Sequence, residues 1–351
     1  MSRWASDRSD TLIQAEAPGG RESGTPGGPA PQGDELIHGG PERLDGPTPI
    51  GAPPVVPRVP FWIRVVPFFL SAFFFMSGLF SLFSPLPLLL TRFRSGRRWA
   101  LAAMAVNTAV VGIATGPEWL AGYLVFIVIP SLALSELLGL RQSIERSVGG
   151  ALLAIVAAGL LVIGGYSWAH HLNAFHQLHD LVALSVDQIH SSAVAGGLLA
   201  TGDADEWKQG LLVELPSALA VLCLVLVWSN LVVLLRINPG GLRESIGLAD
   251  GSLRRWKAPE WLIWPTIGCG FFLLKDLGLA SDVALNFFKF LMAVYALQGL
   301  SVLAFFFEQW KIRGFFRAAG YLLSVFLMMP LLLSLGFFDL WFDFRSKFRQ
   351  T

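Results

Sequence analysis

After residue 60 the chain becomes a near-continuous series of apolar runs, each about long enough to cross a bilayer and each followed by a short loop. A run of ~20 apolar residues can satisfy its own backbone as a helix in hydrocarbon, but a water-borne globule has few places to hide it. Apolar residues make up 54% of the chain and charged residues 15%, too few to give residues 61–340 a solvated surface. The sequence therefore specifies an all-α polytopic transmembrane helical bundle, with the lipid bilayer as its first partner. Spans are expected at about 65–90, 99–115, 119–136, 148–168, 212–235, 261–274, 284–307 and 319–336, eight in all. Two are irregular. The first contains Ser84-Pro85-Leu86-Pro87, where prolines remove backbone donors, and the sixth, Trp261 to Leu274, is short.

Basic residues alternate from loop to loop. Loops 91–98, 137–147, 236–260 and 308–318 hold fourteen Lys and Arg, whereas loops 116–118, 169–210 and 275–283 hold only Lys208 and Lys275. Lys and Arg near a span are retained in the cytoplasm, so the first set faces inward and the segment 169–210 faces outward across a cytoplasmic (inner) membrane. The first run either crosses once or turns back at its prolines as a re-entrant hairpin, and Arg58 and Arg64 favour the hairpin. On that count of spans the segment from Phe337 onward falls outside, against the charge rule for Arg345, Lys347 and Arg349.

Residues 1–60 are rich in Pro and Gly and poor in apolar side chains, which describes a disordered tail. No apolar core follows the start closely enough for a cleavable leader to be expected. Residues 341–351 read as a short polar C-terminal tail. A net charge of +1 gives no electrostatic case for nucleic acid. Cys223 and Cys269 lie within apolar runs and read as small buried hydrophobes.

Three stretches occur together: Pro85-Leu-Pro-Leu-Leu-Leu followed by Arg92-Phe-Arg-Ser-Gly96, then Tyr295-Ala-Leu-Gln-Gly-Leu-Ser-Val302, then Gly336-Phe-Phe-Asp-Leu-Trp-Phe-Asp-Phe-Arg345. In order and spacing they resemble the YybS-like family of bacterial multi-pass membrane proteins, which is defined by a domain of unknown function. The resemblance covers roughly residues 61–347. It implies a more distant likeness to the substrate-binding membrane components of energy-coupling-factor transporters, which bind a metabolite and rely on a separate energising subunit.

Polar groups inside the apolar runs are the candidate site residues, because burying them in hydrocarbon is costly unless they meet a partner or a cavity. They are Asn107, Glu214, Asn230, Asn286, Lys289 and Gln298. Asn286 and Lys289 share a helix face, whereas Gln298 points away from it. A Glu214–Lys289 pair in the outer half is geometrically allowed, as is an unpaired arrangement in which Lys289 snorkels to the interface. Gln298 is retained because it lies in the stretch that carries the family resemblance.

The outer segment holds His170, His171, His176, His179 and His190 on what reads as an amphipathic helix along the membrane surface. His176, His179 and Asp180 have a spacing that a divalent cation could use, but the set lacks a recognised zinc pattern, and no metal or other cofactor is expected. No catalytic constellation or nucleotide cradle is present, so an enzyme is the least favoured class.

The leading expectation is a small-solute binding or transport component using Asn107, Glu214, Asn286, Lys289 and Gln298, with a separate energising or partner subunit. The alternative is a membrane scaffold recruiting proteins through basic loop 236–260 and the tail. Asp339, Asp343 and Arg345 could anchor the C-terminal segment at the interface or cap the bundle from within.

Overall fold

The computed structural model describes residues 66–171, 174–197, 204–248, 252–275 and 277–347. The expected N-terminal tail, residues 1–60, lies outside them. Helices α1 (Pro67–Met76), α2 (Pro85–Ser95) and α3 (Arg97–Thr115) lead into α4 (Trp119–Gly139), α5 (Ile144–Ala169) and α6 (Ala174–Ala195). They are followed by α7 (Ala204–Ile237), α8 (Ile263–Phe272), α9 (Leu279–Gln309), α10 (Phe315–Phe326), α11 (Met329–Phe342) and the short α12 (Phe344–Lys347).

Five continuous segments among the described residues are long and apolar enough to cross a membrane: α3, α4, α5, the Gly210–Ile237 part of α7, and α9. A sixth arises only if α10 and α11 together form one span. The expected count of eight is therefore too high. The first run is broken between α1 and α2, the sixth gives only the ten-residue α8, and the eighth is broken between α10 and α11. Leu153, Leu160 and Leu161 of α5 are exposed, as expected for a helix whose outer face meets lipid.

The first run fails as a rod because it folds back on itself. A straight helix would separate Ser71 from Ser84 by ~20 Å. Instead the Ser71 hydroxyl donates to the Ser84 carbonyl at 2.8 Å, and the Ser84 hydroxyl donates to the Ser71 carbonyl at 2.7 Å. Ser71 also shares a hydrogen bond with the Tyr123 hydroxyl of α4 at 2.8 Å. Pro85 opens α2, where a missing N–H costs nothing, and thereby marks the end of the preceding turn.

Between α10 and α11 the chain bends by 94°. Pro330 sits in the first turn of α11, so helix α10 has to end before it. The redirected α11 crosses α9 at two glycines. A Cβ on Gly299 would collide with the Leu332 carbonyl oxygen, and one on Gly336 with that of Tyr295. Such close backbone approach is the usual role of small residues between membrane helices.

This bend corrects the placement of the C-terminus. Arg345 donates to the carbonyls of Arg254 and Trp256 at 3.1 and 2.9 Å, and Lys257 pairs with Asp343 at 2.9 Å. The C-terminal segment and loop 236–260 therefore occupy one side of the bundle, not opposite sides. Residues 341–347 are mostly helical, and Arg345 is buried, so this part does not behave as a free polar tail.

The remaining basic loops reach the same end. Arg92 and Arg97 flank Glu136, the last acid of α4, at 3.5 and 3.3 Å. The backbone of Gly240 lies against the Phe93 carbonyl, and Arg254 pairs with Glu308 at the end of α9. All four loops of the basic set are thus gathered at one face, the distribution that positive-inside retention requires of a cytoplasmic end.

Candidate functional site

Three of the five candidate residues converge near the opposite, outer end. Lys289 of α9 donates to Glu214 Oε1 of α7 at 2.7 Å, with the lysine 34% and the glutamate 61% exposed. One turn away, Asn286 Nδ2 donates to the Val213 carbonyl at 2.8 Å, and its Oδ1 accepts from the Ser217 amide at 2.9 Å. In a regular helix Val213 C=O and Ser217 N–H would bond to each other. Asn286 bridges them at the turn containing Pro216, which lacks a donor and crowds the carbonyl four residues back. The two helices are thus held in register by an amide splice with an ion pair beside it.

An open cleft of about 510 Å³ adjoins the pair, lined by Glu214, Lys289 and the α7 residues Ala218, Val221, Leu222 and Val225. Its charge lies at one end, and the rest of its wall is almost wholly apolar. Such a site can hold a molecule by its polar end while offering little to hydrogen-bond the remainder.

The other two candidates lie elsewhere, so the five do not form one pocket. Asn107 is fully buried. Its Oδ1 accepts from the Ala72 amide at 2.8 Å, and its Nδ2 donates to Pro67 and Ala103 carbonyls at 3.0 and 2.7 Å. Both ends of the amide are consumed in fastening α1 to α3. Asn230 donates at 2.7 Å to the carbonyls of Leu226 and Leu82, while its Oδ1 has no protein partner. Leu82 precedes Pro85 by three positions, so a continued 3₁₀ turn would leave its carbonyl without a donor. The asparagines of the spans are thus splices for interrupted helices, each also bonded to the carbonyl four residues before it.

Gln298 belongs to a second, buried polar node at the basic end. Its Oε1 accepts from the Ala258 amide at 3.1 Å, and its Nε2 donates to Asp339 Oδ2 at 3.1 Å. The same carboxylate oxygen accepts from Arg345 Nη2 at 2.5 Å. Ser301, one turn along α9, donates to the carbonyls of Leu253 and Trp256 at 2.9 and 3.1 Å. Two of the three sequence stretches that carry the family resemblance therefore meet here and clamp loop 253–258 onto the bundle. Asp339 and Arg345 cap the bundle internally, as one of the two sequence alternatives has it. Asp339 Oδ1, Arg345 Nε and Trp256 Nε1 have no protein partner.

This clamp also changes the character of the basic loop. Trp256 and Ala258 are buried, and Trp256 packs on Trp228 of α7 with ring centroids 4.4 Å apart. Arg254 and Lys257 are engaged by Glu308 and Asp343. The Lys257 ammonium bonded to Asp343 holds that carboxyl below the usual carboxylate range.

Helix α6 forms where the histidine-bearing segment is expected, and it packs against α5 and α7. The side chains of His176 and His179 lie outside the described residues. On the expected apolar face Val186 is buried but Ile189 is exposed, so the described part does not establish an amphipathic helix. Among the described residues, no group of three or more His, Cys, Asp or Glu is gathered for a metal.

The fold and both polar nodes define a polytopic α-helical protein of the cytoplasmic membrane. A family model described as "Predicted membrane protein (DUF2232)" matches residues 62–340, and the chain belongs to that family. No curated protein and no solved structure matches the chain.

Proposed function

We propose that this protein is a small-solute binding or transport component whose site is the outer cleft between α7 and α9. The observation that carries the proposal is the half-exposed Glu214–Lys289 pair at the head of an otherwise apolar cleft, braced by the Asn286 splice. Ionisable groups in an apolar span are expensive and mark substrate paths more often than surface decoration.

The test is thermal stabilisation of the purified full chain in detergent by a panel of amino acids, monocarboxylates, amines and phosphomonoesters. At least one class should raise the Tm of the wild type, with the effect lost in Glu214→Gln and Lys289→Met. A wild type unmoved by every compound, or variants that respond as the wild type does, would count against it.

A further inference from the structure

The outer cleft has an axis and a length. Glu214, Ala218, Val221, Leu222 and Val225 recur at helical spacing, so the cleft follows one face of α7 inward from the ion pair. Glu214 and Val225 are eleven residue steps apart, ~16 Å at 1.5 Å per step, about half of a ~30 Å hydrocarbon core. A charged pair at the outer end of an apolar groove about half a hydrocarbon core long has the outline of a phospholipid. The cleft is open and not enclosed, as a site filled sideways from the bilayer must be.

Charge narrows the choice of headgroup. Lys289 and Glu214 neutralise each other at 2.7 Å, so the site has no net charge to attract an anion or a cation alone. An anion that captured Lys289 would leave Glu214 unpaired, and a cation that captured Glu214 would do the same to Lys289. A ligand carrying both charges exchanges one internal ion pair for two external ones without leaving either partner bare. A primary ammonium can also donate hydrogen bonds to the glutamate, which a quaternary ammonium cannot.

We infer that the cleft binds a zwitterionic phospholipid of the outer leaflet, with its phosphate on Lys289, its primary ammonium on Glu214 and one acyl chain along Ala218, Val221, Leu222 and Val225. This rests on the cleft being the functional site proposed above. The headgroup supplies the discrimination among lipids, which share the same chains, while the chain contributes by packing against the apolar wall.

The experiment is native mass spectrometry of the full chain in detergent, titrated with lysophosphatidylethanolamine, lysophosphatidylglycerol and free phosphoethanolamine. Lysophosphatidylethanolamine should bind the wild type saturably, about tenfold or more tighter than the anionic lysolipid or the free headgroup. Glu214→Gln and Lys289→Met should each weaken it about tenfold, and Leu222→Trp, which fills the groove without altering charge, should also weaken it. If phosphoethanolamine binds as tightly as the lysolipid and responds to the charge variants, the lipid inference fails while a small-solute site survives. Equal binding of both lysolipids also overturns it. Undiminished lysolipid binding by all three variants, or no binding of any probe to the wild type, overturns the lipid inference, while the small-solute reading then stands or falls on its own panel of compounds.

Discussion

Replacing Arg345 by Met tests how the basic end of the bundle is held. Arg345 is 7% exposed and Asp339 0%, so their 2.5 Å contact is shielded from water. Methionine retains much of the length of arginine and removes its charge, and the dominant cost is then an uncompensated carboxylate, not a cavity. Asp339 keeps only the Gln298 amide, at 3.1 Å, while the carbonyls of Arg254 and Trp256 lose a donor. Removing one partner of a buried ion pair costs ~3–5 kcal/mol. At ~2–4 °C per kcal/mol for a chain of this size class, the apparent Tm should fall on the order of 10 °C. Gel filtration of the heated, detergent-purified protein measures this, and fluorescence of the Trp228–Trp256 contact reports release of the loop. Asp339→Asn combined with Arg345→Met leaves no buried charge and should recover part of the loss. An Arg345→Met Tm within ~2 °C of wild type, or a double variant worse than the sum of the two single changes, would refute the reasoning.

Asn107→Leu leaves the Pro67 carbonyl and Ala72 amide without the splice, whereas Asn230→Leu releases only one carbonyl outside its own helix, Leu82. Asn107→Leu should therefore lower the Tm more, with ~1–3 kcal/mol expected for each buried group left unpaired. Gly299→Ala and Gly336→Ala drive a methyl into a facing backbone carbonyl and should each reduce the yield of folded protein, while Gly159→Ala, with open space at its Cβ, should not. Asp343 titrates lower folded than unfolded because Lys257 bonds its carboxylate. The pair's contribution is therefore present above the ordinary carboxylate value of 3.8 and lost as pH falls through the depressed folded value. Melting curves between about pH 5 and 2 should show that loss in the wild type and a weaker one in Lys257→Met.

The apolar runs and the alternation of basic loops were legible in the sequence because both follow directly from bilayer thickness and the retention of charge. Pro330 inside the expected run 319–336 was the available sign that this run could not be one rod, and the C-terminal side assignment changes once the break is recognised. The outer pair was legible only as one of two alternatives, because Glu214 and Lys289 each lie near the outer start of a span but no local spacing ties α7 to α9, whereas the shared face of Asn286 and Lys289 followed from their i, i+3 spacing. The inner node was less so. Asp339 and Arg345 are separated by Asp343, whose left-handed φ of 39° ends α11 and turns Arg345 back, a conformation set by tertiary contacts with Lys257 and the loop, not by local spacing. Asn107 and Asn230 stood out as costly polar groups, but their task depended on which interrupted helix each would meet.

The basic loops and the C-terminal segment share one face of the membrane, with α6 on the other. Single cysteines at Ser191, Arg313 and Ser346, in a chain carrying Cys223→Ser and Cys269→Ser, can be probed in intact cells with a membrane-impermeant thiol reagent. Ser191→Cys should be labelled from outside, while Arg313→Cys and Ser346→Cys should react only after the membrane is opened. Labelling of Ser346→Cys in intact cells, or protection of Ser191→Cys, would contradict this arrangement.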